Sequence, residues 1–346
     1  MMVVYCRESP NGKRSWSVDG ALCRLTRGID DHHLSTLSYG LSSAWDVRRR
    51  GIDVALVLNT ANGFWLPLIR SAGVPVALNV DGLEWERDKW NRLGRAVFKA
   101  GSALSARQAT RLIADSRAIA GIWHDRYGVR PDFIPYGANV LADDGDDELI
   151  ALGIIPGEYV LTVARLVPEN NVMLTLDALG GIDRRSRPSH VIVGSGYGSR
   201  LHGQIAEIAA GRDEVRMLGH VSNQRLLSQL YRHCRVYVHG HSVGGTNPSL
   251  LQALGSGAPV LAYDAVFNRE VIGDAAGLYY SDSRSLVDQL SLMLNSEDLC
   301  DVLAESAQAR IAERYQWDEV CDRYLEVLSD LAGERGAGRP LEPIAA

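Results

Sequence analysis

Residues 239–264, HGHSVGGTNPSLLQALGSGAPVLAYD, restrict what this chain can fold into more than any other stretch, because they spell out one complete β-loop-α-β unit. RVYVHG reads as a short buried strand, SVGGT as a glycine-rich loop, NPSLLQALGSG as a helix with both ends marked, and APVLAYD as the next strand. Asn247 is suited to cap the helix, Pro248 sits in a first turn where a missing N–H costs nothing, and Gly255 and Gly257 supply the stop. Such a helix begins at the carboxyl end of the sheet. Its unpaired N–H groups and dipole favour an anion there by about 0.3–1 kcal/mol, and Gly244 and Gly245 let a ligand approach the backbone. A tight βα turn needs the same glycines for geometry alone, so these residues by themselves leave both readings open.

The rest of the chain repeats that rhythm. After 346 residues, too many for one core, two domains are the default. In the first half MMVVYC, DVALVLN, VPVALNV, RLIADS and DFIPY are strand candidates with helical segments between, residues 34–45 among them. In the second half EYVLTVAR, SHVIVGSG, EVRMLG, RVYVHG, APVLAY and GLYY alternate with helices at 171–179, 201–209 and 224–232. Alternating strands and helices predict an α/β fold of two Rossmann-like, doubly wound parallel sheets, with ligands outside the carboxyl ends of the strands in an interdomain cleft. The expected domains are 1–141 and 151–315, joined by an acidic linker at 142–150 (ADDGDDE within it). A helix at 316–332 and a disordered tail at 333–346 close the chain.

Composition excludes more than it selects. A net charge of -6 gives no global case for nucleic acid. Cys6, Cys23, Cys234, Cys300 and Cys321 are scattered and lack metal-ligand spacing, which reads as reduced thiols in the cytosol. There is no run of about 18 apolar residues and no signal-peptide pattern at the amino terminus, so the expectation is a chain neither exported by that route nor anchored by a spanning helix.

Three loops leave strand ends with residues able to do chemistry. Arg165, after EYVLTVAR, can fork two phosphate oxygens; its alternative is a surface ion pair with Glu169. Gly194 and Gly196, in the loop Ser195-Gly196-Tyr197-Gly198 and just before it, let the backbone approach a nucleotide, or make a turn. Asp81 ends the strand VPVALNV, as a functional group or a helix cap. His239 and His241 form an H-x-H pair without a third ligand nearby, and Asp144-Gly145-Asp146 lies in the acidic stretch, so no metal is expected. Residues 84–111 combine Trp85, Trp90 and Phe98 with seven Lys or Arg, which suits either contact with an anionic lipid surface or a solvated helix that turns its aromatics inward.

NVDGLEWERDKW, IADSRAI, YGVRPDFIPYGA, VARLVPENN and HSVGGTNPSLLQALGSGAPVLA together resemble the rhamnosyltransferase branch of the retaining GT-B glycosyltransferases, glycosyltransferase family 4, over about residues 3–331. The resemblance implies a nucleotide-sugar donor, dTDP-rhamnose for this branch, held by the second domain. It implies a glycan or lipid-linked glycan acceptor held by the first, at the cytoplasmic face of a membrane, and a last helix crossing back to the first domain. It makes Arg165 the donor-diphosphate arginine and places the donor's phosphates and sugar along Gly244, Gly245, Thr246, Asn247, Pro248, Ser249 and Leu250. Gly194 and Gly196 fall near the nucleotide, and Asp81 falls beside the transferred sugar. Two departures stand out. The strand and glycine-rich loop that open the family have no counterpart ahead of MMVVYC, so the first domain is expected to be truncated at its amino terminus with an exposed edge. Gln252 stands where the family has a glutamate for donor hydroxyls, keeping an acceptor oxygen and losing the charge.

Overall fold

Six parallel strands run through the second half of the chain in the order β10-β9-β8-β11-β12-β13. They are β8 (Tyr159–Val163), β9 (Ser189–Val193), β10 (Val215–Gly219), β11 (Val236–His239), β12 (Val260–Tyr263) and β13 (Leu278–Tyr280). This computed structural model describes residues 1–31, 34–86, 90–196 and 199–336. Both faces of the sheet are covered, which explains why its strands read as apolar runs instead of alternating. Tyr159, Leu161, Tyr237, Val260 and Ala262 enter one core, and Val160, Val236, Val238 and Leu261 enter another on the opposite face. Each fully buried side chain of this size contributes about 1.5–3 kcal/mol. Chain order reverses between β8 and β11, so the topological switch point lies where residues 165–171 and 240–247 leave the sheet.

The chain divides into two units. The second comprises Ser116–Ala118 and Pro135–Cys321; the first comprises Met1–Asp115, Ile119–Ile134 and Asp322–Ala346. The acidic segment expected as a linker lies inside the second unit. Asp147–Ala151 forms a helical turn whose Leu149 is fully buried. Arg225 donates to both Asp147 oxygens at 2.7 and 2.6 Å, Glu148 N donates to Gln229 Oε1 at 3.1 Å, and Asn223 Nδ2 donates to Glu148 Oε2 at 2.6 Å. Hydrogen bonds from Arg225 and Gln229 hold the Asp147 carboxyl down at about 2. The carboxylates look unsatisfied in sequence because their partners lie some eighty residues downstream.

The first unit departs from the expected single parallel sheet. Four parallel strands run β4-β5-β6-β7 (Ala55–Leu58, Val76–Asn79, Arg111–Ala114, Asp132–Phe133). A separate three-stranded sheet has the order β1-β3-β2, from Val3–Cys6, Ala21–Leu25 and Ser15–Val18, and there β2 pairs antiparallel with β3. The reason is local. Asp19 and Gly20 both take positive φ, 48° and 81°, and the Asp-Gly pair closes a tight hairpin. Helix Ser35–Arg49 packs Ala44 and Val47 into the core with Ala55, Val76 and Leu78, and its Asp46 accepts from Tyr5 Oη at 3.0 Å and pairs with Arg24 at 3.2 Å. Both β1 and β4 are edge strands, with Val4, Leu56 and Leu58 exposed at 37%, 42% and 61%.

The last helix, Trp317–Gly336, runs four residues into the segment 333–346 expected to be disordered; residues 337–346 lie outside the described residues. From Asp322 onward it belongs to the first unit, where the Tyr324 hydroxyl accepts from Asn79 Nδ2 at 2.8 Å.

Candidate functional site

The loops after β8, β9 and β11 meet at the switch point of the second unit. Arg165 leaves β8 exposed, and its guanidinium makes no ion pair or hydrogen bond among the described residues. The alternative pair with Glu169 does not form. Glu169 is buried, its carbonyl accepts from Ser242 N and Ser242 Oγ, both at 2.9 Å, and its Oε2 has no partner among the described residues.

Gly194 and Gly196 hold the β9 loop against the β8 loop. At Gly194 φ is 138°, and a Cβ would stand 1.8 Å from the Ala164 carbonyl oxygen; at Gly196 it would stand 2.8 Å from that of Leu166. Loop-on-loop packing alone therefore accounts for these two glycines. Tyr197 and Gly198, the rest of the motif, lie outside the described residues.

The helix after β11 begins as its sequence indicates, and its first turn is already satisfied. Asn247 Oδ1 accepts from Ser249 N at 3.0 Å and Ser249 Oγ at 2.8 Å, and the Asn247 carbonyl accepts from Leu250 N at 3.1 Å. Pro248 has no N–H, and the Leu250 side chain is core. The donors that point at no protein acceptor lie one step earlier: among the described residues Gly244, Gly245 and Asn247 donate no backbone hydrogen bond. An anion at this strand end would meet glycine-loop amides, with the helix adding its dipole. Thr246 is buried in the same loop, and Gln252 is exposed one turn into the helix.

Beneath the loop lies a buried polar layer that motif reading did not assign. His239 Nδ1 is 3.1 Å from the Tyr237 hydroxyl, and His241 Nδ1 is 2.8 Å from Asn170 Oδ1. Burial pushes His239 well below the usual histidine range, so it is neutral at physiological pH. The H-x-H pair is thus engaged through Nδ1 on both rings, and among the described residues no three metal-type ligands converge. The signal for Asn170 was present as PENN in the loop that follows a strand, where short polar side chains bond local backbone.

Asp81 lies in the first unit, at the carboxyl end of β5, in the left-handed region with φ 58°. It caps no helix. Oδ1 accepts from Gly82 N at 2.9 Å and Oδ2 from Asn59 Nδ2 at 3.4 Å. Asn59, at the end of neighbouring β4, also has positive φ, 71°. Two non-glycine residues held in this costly region on adjacent strand ends make a strained pair of the kind that clusters at functional sites. In the segment 84–111 the aromatics face inward: Trp85 and Phe98 are buried, and Trp90 packs on Phe98 at 4.8 Å. The helix Arg92–Gln108 leaves Arg92, Lys99, Arg107 and the 73% exposed Leu93 outward; Arg87, Asp88 and Lys89 lie outside the described residues.

Comparison with known proteins agrees with this architecture. Residues 153–310 match the family described as Glycosyl transferases group 1, and residues 56–139 match a domain of unknown function, DUF1972. The chain is 23% identical over 163 residues to O-antigen chain mannosyltransferase B of Escherichia coli, a match covering 46% of this chain and 42% of that protein's length. Among solved structures it resembles sucrose-phosphate synthase of Thermosynechococcus elongatus, with a TM-score of 0.81 and 14% identity over 96% of this chain and 89% of that one. It also resembles HepE of Anabaena in complex with UDP-glucose, with a TM-score of 0.73 and 16% identity over 85% and 83% of the two chains. The fold is α/β of the GT-B type, and the unit that carries the switch-point loops is the one matched by the group 1 glycosyl transferases.

Proposed function

We propose that the protein is a glycosyltransferase that moves a sugar from a nucleotide-sugar donor to a glycan acceptor in the synthesis of a cell-surface polysaccharide. The observation that carries this reading is that, among the described residues, the Arg165 guanidinium just after β8 has no partner and the amides of Gly244, Gly245 and Asn247 after adjacent β11 donate no backbone hydrogen bond. A planar guanidinium and a row of backbone N–H groups suit a diphosphate. The match to group 1 glycosyl transferases, the UDP-glucose bound by HepE and the polysaccharide role in the name of the mannosyltransferase relative support it.

In finer detail, the motif resemblance favours rhamnose from dTDP-rhamnose, transferred with retention of configuration. The chain's own residues need no nucleophile for this: they orient donor and acceptor and stabilise charge on the departing diphosphate, whose oxygen takes the acceptor's proton as the new glycosidic bond forms. Asp81 belongs to the acceptor side of this reading and Gln252 to the donor sugar. Among the described residues no helix is long and apolar enough to cross a membrane. A cytoplasmic protein that touches an anionic membrane face through Arg92, Lys99 and Arg107 is the reading we favour, since Arg92–Gln108 carries no carboxylate.

A second reading, a non-catalytic nucleotide-sugar binding protein, is favoured by Gln252, which lacks the charge of the glutamate that the resemblance places there. Mass-spectrometric transfer assays with a panel of nucleotide sugars, comparing wild type with Arg165→Ala, separate the two. Turnover that falls at least a hundredfold in Arg165→Ala supports the enzyme, turnover unchanged by it refutes the role of Arg165, and nucleotide binding without transfer to any glycan favours the second reading.

A further inference from the structure

We propose that Asn170 is a positioning residue of the switch-point site: one side chain that fixes both the Arg165 loop and the histidine behind the glycine loop. The proposal rests on the diphosphate reading given above. Asn170 is 5% exposed and spends its whole amide on these two loops. Nδ2 donates to the Arg165 carbonyl at 2.8 Å, and this sets the orientation of the amide, so that Oδ1 faces His241 Nδ1 at 2.8 Å. An amide oxygen only accepts. The proton of His241 therefore sits on Nδ1, and in the neutral ring Nε2 carries no hydrogen.

Nε2 is turned to the glycine loop. A Cβ at Gly244 would stand 2.6 Å from His241 Nε2, so the ring backs directly onto the loop whose amides await an acceptor. The ring cannot easily swing away, because Asn268 Nδ2 holds the His241 carbonyl at 2.9 Å and Phe267 packs against the ring at 5.5 Å. Asn170 is itself clamped. Its carbonyl oxygen lies where a Cβ of Gly240 would be, 2.1 Å away, and neighbouring Asn171 Nδ2 donates to the Gly240 carbonyl at 2.8 Å. The asparagine thus couples the position of the guanidinium-bearing loop to that of the amide-bearing loop, and a ligand gripped by both requires them in fixed register.

Two measurements on the full chain test this. In 15N-edited ring spectra, with the His241 signals assigned from His241→Gln, wild type is expected in the Nδ1–H tautomer and Asn170→Ala in the Nε2–H form. Asn170→Asp keeps the acceptor for His241 and loses the donor to Arg165, so it retains the Nδ1–H tautomer. Titration calorimetry with dTDP and with UDP is expected to show Kd raised about tenfold in both variants, with melting temperatures close to wild type. A wild-type tautomer in Asn170→Ala, or nucleotide Kd values within twofold of wild type in both variants, overturns the proposal. Wild type that binds neither dTDP nor UDP overturns the diphosphate reading instead, while the ring spectra still decide whether Asn170 holds His241.

Discussion

The Tyr237 hydroxyl stands 3.3 Å from Ser249 Oγ, tying the end of β11 to the first turn of the helix Pro248–Gly255. The same oxygen donates to the Val163 carbonyl at 3.4 Å and lies 3.1 Å from His239 Nδ1, so one phenol joins the ends of two adjacent strands and a helix start. Tyr237→Phe removes only the hydroxyl and leaves these buried partners unsatisfied. It is expected to cost about 1–2 kcal/mol, read as a lower urea midpoint with an unchanged slope. A midpoint equal to wild type would show that the phenol is not the joint described.

Glycine substitutions should split sharply by position. Gly194→Ala, with φ 138° and Ala164 O in the way, is expected to destabilise the second unit by about 3 kcal/mol or more. Gly203→Ala, inside the helix Arg200–Gly211 with open space around it, is expected to stabilise by up to about 1 kcal/mol. Thermal melts of the two variants give shifts of opposite sign if the backbone geometry is right.

Stability should depend on acid through a residue at the end of β9 away from the switch-point loops. His190 is fully buried in β9, with Nε2 3.0 Å from Thr162 Oγ1, and burial lowers its pKa from 6.5 to about 3. Between those values the unfolded chain holds a proton that the folded chain lacks. The stabilisation is complete above about pH 6.5 and is lost as pH falls, at up to about 1.4 kcal/mol per pH unit, down to about pH 3. Denaturation followed from pH 7 to 4 should flatten in His190→Gln; an identical slope in both proteins would rule out His190 as the source.

Gln252 is exposed on the first helical turns and makes no side-chain hydrogen bond among the described residues. If it faces donor hydroxyls, Gln252→Glu supplies charge-assisted acceptors and should tighten binding of a nucleotide sugar about fivefold, with free nucleotide diphosphate bound as before. Equal Kd values for the sugar nucleotide in both proteins would remove Gln252 from the site.

What could be read from the sequence followed from how local the causes were. The strands of the second unit were legible because a parallel sheet buried on both faces is spelled in runs dominated by apolar residues, such as VIV and YVLTV. The Asn247 cap and Pro248 start were legible for the same reason, since capping is decided within three residues. The hairpin of β2 and β3 was missed although Val18-Asp19-Gly20-Ala21 carried its turn signal, because the surrounding alternation of strand and helix suggested a uniform sheet. The acidic stretch at 142–150 was misread as linker because Arg225 and Gln229 pair with it only through the fold. The site was legible as a set of loops and not as a set of donors: that Asn247 consumes the amides of Ser249 and Leu250, leaving the offer to the glycines before it, depends on where the cap points.

The two unpaired strand borders in the first unit also bear on how the protein behaves in a tube. Among the described residues no strand pairs with the outer edge of β1 or of β4, and Leu56 and Leu58 lie exposed along the latter. Molecules carrying such borders stick to one another as they are concentrated, and the self-association should vanish when Leu58 is replaced by lysine, a residue that repels its own copy across a would-be seam.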